Sequence, residues 1–334
     1  MRKEIFFYIL PLPVALFSIF LGPSESISPA DVYNWLLTKI TSDSKPTISD
    51  IQTIEAVILD IRLPRIIMAF LVGAALTTSG ASLQAMIRNP LVDPYLLGLS
   101  SGAAFGAALA MTVLHYMPVQ LSAFIFGLMA VCLTYFLAFR RGEISIISMI
   151  LSGVIVSGVF TAFLTIVQFM TDPFRLQGIV YWIMGNLHNA SWSGVESMII
   201  PVMTGTLWLF IIKWRLNVIS LGDLEAKTVG YNPTTLKLMI LIPATLIAAA
   251  SVAVAGIIGM VGLAVPHMIR MMIGYDNKKV IPVSFAFGGT FLLLVDNLSR
   301  TITQFEIPIG IFTTLIGGPF FIYLLKRLRH GYGD

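Results

Sequence analysis

RLPRIIMAFLVGAALTTSGASLQAMIRNPLVDPYLLGLSSG, residues Arg62 to Gly102, is the stretch whose reading decides the fold. It holds two apolar spans joined by a tight turn, Asn89-Pro90-Leu91-Val92-Asp93-Pro94. Two arginines, Arg62 and Arg65, stand three residues apart around a proline at its entrance. Gly, Ala, Ser and Thr crowd both spans, and such small side chains let helices pack closely inside a bilayer, where lipid tails leave no hydrophobic drive for helix association. The stretch reads as a transmembrane hairpin with a charged mouth and a proline turn.

The rest of the chain agrees. Its 334 residues are 57% hydrophobic and 11% charged, against about 25% charged for a soluble domain, and the mean hydropathy is +0.87. No polar segment is long enough to bury a core of its own. The expectation is a single all-α, polytopic membrane domain over residues 1–334. Its one cysteine, Cys132, excludes an intramolecular disulfide and, inside an apolar run, reads as a small packing residue.

Outward from the hairpin, about 20 apolar residues suffice for one crossing. Met1-Arg2-Lys3 followed by Ile5 to Leu21 has the charged and apolar parts of a signal peptide, but without a clear small-x-small cleavage site it reads as an uncleaved first span. Residues 22–61 are polar by comparison; within them Ser28-Pro29 is an N-cap signal, and residues 28–41 predict a short helix lying on the outer membrane surface. The hairpin supplies spans two (Ile66 to Ile87) and three (Tyr95 to Leu114). Spans four (Val119 to Phe139), five (Ile144 to Met170) and six (Val195 to Ile212) follow, with a polar connector, 171–194, between the last two. Residues 216–237 form a polar, helix-compatible insert. The run from Leu238 to Ile273 is too long for one crossing, and Gly256, Gly259 and Gly262 break it into spans seven and eight. Val280 to Leu298 and Ile307 to Leu325 complete ten.

Basic residues test the count, because cytoplasmic connectors concentrate Lys and Arg. With ten spans and both termini in the cytoplasm, the outer side holds only Lys39, Lys45, Arg62, Arg65, Arg175 and Arg300 of the 21 Lys and Arg. A missed span would reverse every cluster downstream of it. The basic excess is therefore a topology signal, not a nucleic-acid surface.

Certain chemistries are missing. No G-x-x-x-x-G-K-[ST] loop is present to cradle a nucleotide, and neither an HExxH nor a cysteine–histidine cluster suits a metal. Glu196 and Asp296 are acids near span ends, so an ion-coupled secondary carrier, which uses ionisable or broken-helix sites near the midplane, is the disfavoured alternative. An intramembrane enzyme would need a catalytic pair within the spans, and none appears.

The motifs resemble, in order and over nearly the whole chain, the permease subunits of ABC importers for iron–siderophore complexes, haem and cobalamin. They are Arg62-Leu63-Pro64-Arg65, Asn89 to Pro94, Leu97 to Gly102, Tyr181 to Gly185, Leu221 to Gly230, Gly262 to Arg270, Pro308-Ile309-Gly310 and Gly317-Gly318-Pro319. The resemblance implies an inner (plasma) membrane, multi-pass subunit that forms a homodimer embedded in membrane lipid. Two cytoplasmic ATP-binding subunits would carry the ATP and Mg²⁺, with no cofactor on this chain, and a periplasmic or lipid-anchored binding protein would dock outside.

Roles follow position by position. Arg62, Arg65 and Arg300 match the outer arginines that pair with acidic groups of the binding protein; read from the residues alone, they anchor helix ends at the interface. Leu221, Gly222, Asp223, Leu224, Glu225, Ala226, Lys227 and Gly230, within the 216–237 insert, match the cytoplasmic coupling helices. Asn89, Pro90, Asp93, Pro94, Pro266, His267 and Arg270 would shape the same surface, although their prolines equally serve as helix stops. Ser145, Ile146, Ser148 and Ser152 would line the pathway at the start of span five, or pack it as small residues. The implied cargo is a metal chelate, most simply iron–siderophore, with haem, cobalamin or molybdate as alternatives.

Overall fold

The computed structural model of the protein describes residues 2–22, 27–41, 48–140, 143–303 and 305–330. Lys45, counted above on the outer side, lies outside them. The described chain is helical apart from turns and one two-residue hairpin, in which β1 (Phe139–Arg140) pairs antiparallel with β2 (Glu143–Ile144).

The hairpin's first span is α5 (Leu63–Ile87), and it is the core of the molecule. Nearly every residue of α5 is buried, against α10 (Trp192–Leu221), α12 (Pro233–Ala255), α13 (Val261–Ile273) and α14 (Asn277–Thr301). Its small residues make this possible. Gly73 lies against the Gly288 carbonyl of α14, and Gly80 against the Gly262 carbonyl of α13, each closer than a Cβ allows. Ser79 donates to the Ala244 carbonyl at 2.7 Å, so even the hydroxyls serve helix contact.

All ten expected apolar segments are helical. Among the described residues six helices are long and apolar enough to cross a membrane, and Glu4–Phe20, Leu99–Thr112, Val261–Ile273 and Ile309–Ile322 are shorter apolar helices. The first is divided at Pro11 into α1 (Arg2–Ile9) and α2 (Pro11–Phe20), because proline lacks the N–H for the preceding turn. α3 (Pro29–Thr41) occupies the expected surface-helix range, with Ser28 and Asp31 bonded reciprocally across its first turn and Val32 buried on Ile27 and Ile58.

Four boundaries differ from the sequence reading. The stretch before Arg62 is not merely polar: α4 (Ile48–Ala56) continues through a π-helical turn, Val57–Arg62, straight into α5. The wider turn carries the Leu63 N–H back to the Ile58 carbonyl, at the point where Pro64 has no N–H to offer Asp60. Span three starts late: Pro94–Leu97 is a 3₁₀ turn capped by Asp93 and closed by Gly98 at φ +86°, and α6 is only Leu99–Thr112. After α7 (Val119–Ala138) and α8 (Ile146–Met170), the 171–194 connector contains α9 (Pro173–Ile183), capped by Asp172. The 216–237 insert holds one short helix of its own, α11 (Asp223–Thr228); its flanks are the end of α10 and the start of α12.

The glycine break between α12 and α13 is an extended segment, 256–260, with Gly256 and Met260 at positive φ. Helix-free backbone at membrane depth needs partners. Tyr95 supplies them, its phenol accepting from the Ile258 N–H at 3.2 Å and donating to the Ile258 carbonyl at 3.0 Å. α15 (Ile309–His330) packs beside α13 and α14. Cys132 differs from the expectation of a packed residue: it is exposed on α7.

Candidate functional site

The connectors assigned to opposite faces collect at opposite ends of the bundle. At one end Arg62, Arg65, Asp296, Arg300, Glu306 and His188 form a single charged cluster. At the other, Arg88, Glu143, Asp223, Lys227 and Lys237 gather around α11.

The first cluster is buried. Arg62, Arg65 and Arg300 are 3%, 5% and 2% exposed, and each guanidinium points into the chain. Arg65 is the hub: Nε and Nη2 donate to Asp296 Oδ1 at 3.0 and 2.9 Å, and Nη1 donates to Glu306 Oε1 at 2.7 Å. Arg300 Nε lies 3.6 Å from Asp296 Oδ2, while its Nη2 donates to Ser18 O and Asn297 Oδ1. Arg62 Nη1 donates to Ile19 O at 2.8 Å. The i, i+3 spacing of Arg62 and Arg65 therefore sends one guanidinium to α2 and the other to α14. His188 Nδ1 stands 3.3 Å from Glu306 and is the exposed edge of the cluster. Burial works against ionisation of Glu306, but the Arg65 hydrogen bond and the charges of Arg65 and His188 outweigh it and hold its carboxyl below the usual carboxylate range. These arginines do not offer their donors at the surface; they tie the ends of α2, α5, α14 and the 302–308 loop together.

The second end presents a surface. Gly222, at φ +148°, turns the chain out of α10, and a Cβ there would strike the Glu225 carboxylate. In α11, Ala226 is fully buried while Leu224 is 74% exposed, and Leu221 and Val229 are exposed beside it. Beneath lies Lys237, 3% exposed, whose ammonium donates to Asp223 Oδ2 at 2.6 Å and to the Ile144 carbonyl at 2.9 Å. Lys227 reaches Glu143 at 3.2 Å, and Arg88 lies 4.0 Å from Asp223. Gly230, at φ +87°, closes the helix. The structure thus brings together Asp223, Lys227 and the Asn89 to Pro94 turn, and adds Lys237, which only its place at the head of an apolar run could have marked.

A further knot backs this surface. Arg270 on α13 donates to the Gln84 side-chain oxygen and to Ala81 O, and Gln84 Nε2 donates to Val92 O at 3.1 Å and Leu263 O at 3.2 Å. α5, the proline turn and α13 are locked by one glutamine. The signal for it was a lone amide in a small-residue span, where an unpaired polar group is costly. In the turn, Asn89 Oδ1 accepts from the Leu91 N–H. Pro90 borders a cavity with Gln84, Arg88 and Arg270. Burial raises the Asp93 carboxyl to about 6, the bond from the Tyr95 N–H opposing it. Pro94 packs on Gly262, and Pro266 is buried inside α13. His267 meets Phe320 of α15 edge-on and Phe321 at a tilt, with its Nδ1 buried and unpartnered.

The serine stripe divides. Ser145 caps α8, accepting from the Ser148 N–H at 3.4 Å, and Ser152 is buried within the chain. Ile146 packs partly against the core. The surface that α8 leaves open is apolar instead, through Ile147, Leu151, Ile155, Val159 and Ile166. Among the described residues no group of three His, Cys, Asp or Glu side chains is placed to hold a metal.

Comparison with known proteins places this architecture. The pattern of the FecCD transport family matches residues 10–327. The chain belongs to the FecCD transport family. The probable iron chelatin transport system permease protein of Helicobacter pylori strain J99 is 39% identical over 280 residues, 84% of this chain and 85% of that one. The molybdate import system permease protein of Haemophilus influenzae is 36% identical over 291 residues, 86% of each. Among solved structures, an ABC transporter assigned to the metal-chelate type, in an inward-facing conformation, superimposes with a TM-score of 0.85 at 33% identity, covering 98% of this chain and 99% of the other. This FecCD-family chain is accordingly an integral membrane protein of the ABC-permease type, whose relatives are permease subunits.

Proposed function

We propose that two copies of this FecCD-family chain form the pathway of an ABC importer for a metal chelate, by alternating access and with ten spans and both termini in the cytoplasm. The observation that carries the reading is α11: a short helix that exposes Leu224, with Leu221 and Val229 exposed at its two ends, while Lys237 holds its Asp223 from below and ties it to β2. An exposed apolar face held rigidly outside the bundle suits a cleft on another protein. Two ATP-binding subunits seated there would push on α11, and the lysine would pass the motion to α12 and α8. ATP and Mg²⁺ belong to those subunits, and this chain binds no cofactor.

A periplasmic or lipid-anchored binding protein docks at the opposite end. Arg62, Arg65 and Arg300 support that face from beneath, and His188 is its charged rim. The open apolar surfaces of α8 and α15 meet a second copy, leaving cargo recognition to the binding protein. Relatives named for iron chelatin and for molybdate are 39% and 36% identical, so identity alone separates no cargo; a ferric chelate is our reading.

The test is uptake of a labelled ferric siderophore into proteoliposomes holding the chain with its ATPase and binding protein. Uptake should require ATP, and Leu224→Asp should abolish ATPase co-purification from a folded chain. Accumulation driven by an ion gradient, with no ATPase present, would overturn the reading in favour of a secondary carrier.

A further inference from the structure

We propose that the groove between α10 and α12 is a binding site for one anionic phospholipid of the leaflet at the α11 end. The groove has a volume of about 380 Å³ and almost no polar lining, with Thr204, Trp208, Leu238, Met239, Ile242 and Leu246 along it. Its floor is where the helices come closest, Gly205 lying against Ile247 and the Pro243 carbonyl. Pro243 inside α12 has no N–H, which frees the Met239 carbonyl. The Trp208 indole N–H takes that carbonyl at 3.0 Å, so the ring lies as a fixed wall with no polar group turned to lipid.

The mouth is cationic. Thr204, Trp208, Ile211 and Arg215 recur at helical spacing on one face of α10, placing Arg215 about 16 Å along the axis from Thr204. That matches half of a roughly 30 Å hydrocarbon core, the depth of one leaflet's acyl chains. Arg215 Nη1 is 3.5 Å from Met239 Sδ, and its guanidinium sits 6.0 Å over the Tyr231 ring. Among the described residues no carboxylate pairs with it. An apolar slot of one-leaflet length, ending at a forked donor without an anion, fits an acyl chain below a phosphate-bearing headgroup of net negative charge. Tyr231 and Thr235 border the same mouth.

Trp208 reports occupancy. The full chain is reconstituted in vesicles of phosphatidylcholine mixed with either dibrominated phosphatidylglycerol or dibrominated phosphatidylcholine, and the Trp208 signal is the difference between wild type and Trp208→Phe. Bromolipid quenching should favour phosphatidylglycerol about fivefold, the worth of one basic group at the surface. The preference should fall below twofold in Arg215→Gln and persist in Arg215→Lys. It should also persist in Lys213→Gln, which removes a neighbouring charge from another face of α10. Thermal unfolding of each variant checks that it remains folded. Equal quenching by the two lipids means ordinary annular lipid and overturns the proposal. So does equal loss in Lys213→Gln, which would make the preference general surface charge. Absence of quenching by either lipid would mean that a protein, such as a second copy, covers the groove.

Discussion

Replacing Arg65 with methionine should destabilise the protein by about 3–5 kcal/mol, the cost of breaking a buried ion pair by removing one partner. Asp296 is fully buried and loses its bidentate bonds, and Glu306 loses its 2.7 Å bond. The cation left near Asp296 is Arg300, at 3.6 Å; at an effective dielectric of about 20 that attraction is roughly 4–5 kcal/mol, which holds the loss nearer the lower figure. Removing both charges, in Arg65→Met/Asp296→Leu, should recover only the part of the loss that comes from the stranded Asp296 carboxylate, because Glu306 still lacks its Arg65 bond and Arg300 then lacks Asp296. The assay is unfolding in mixed dodecylmaltoside–SDS micelles followed by tryptophan fluorescence, run as a double-mutant cycle, beside binding-protein affinity. A loss below about 1 kcal/mol in Arg65→Met, the scale of an exposed pair, would refute the strut reasoning. If affinity vanished at the same time, Arg65 would be a docking residue and its burial would open on contact.

Four further outcomes follow from other parts of the molecule. Lys237→Met removes the buried bonds that tie Asp223 of α11 to α12 and to β2, leaving the exposed Lys227–Glu143 and Arg88–Asp223 contacts, and should lower ATP-driven transport at least about tenfold while leaving assembly intact, the worth of one charge-assisted bond of about 1.5 kcal/mol; unchanged coupling between ATP hydrolysis and uptake would count against the joint. Two carboxyls give opposite pH slopes. Glu306 is held below its unfolded value, so its stabilisation is complete above about pH 4.5 and disappears as pH falls through the lowered value, a drop that Glu306→Gln should erase. Asp93 is raised to about 6 from 3.8, so stability is greatest below the lower value and declines as pH climbs to the upper one; Asp93→Asn, which keeps the cap on the Tyr95 N–H, should gain on wild type over that window and no further above it. Gly80→Ala places a methyl inside the Gly262 carbonyl, and backbone cannot give way as a side chain can; loss of the folded chain from detergent extracts is expected, and normal extraction would mean that α13 sits farther from α5.

Much of the architecture was legible because the bilayer imposes a simple rule. Apolar length predicts helices, and the alternation of basic connectors sorted them onto two ends; the structure gathers Arg62, Arg65, Arg175 and Arg300 at one end and Arg88, Lys227, Lys237 and Lys279 at the other. The glycine break before α13 and the Ser28 cap were likewise readable, since both are local backbone requirements. Boundaries were less so. Composition saw polar residues before Arg62, whereas a helix continues through them on the face that carries Ile54, Val57 and Ile58.

What the residues by themselves determined about this protein is that it is helical, lies in a membrane, and carries the ordered motifs of its family, because helix length, charge asymmetry and turn chemistry are properties of neighbouring residues. What only the tertiary structure decided is where the charges point. Arg65 and Asp296 are 231 positions apart, as are other partners in this fold by similar distances, and no local pattern says whether an arginine at a helix mouth faces solvent or a buried acid. Arg62, Arg65 and Arg300, which the resemblance turns toward a partner, lie buried and bond groups of their own chain. The opening hairpin keeps its central place for a different reason: its small residues let four helices close on α5, and that closure is what brings an acid from α14 to meet its arginine.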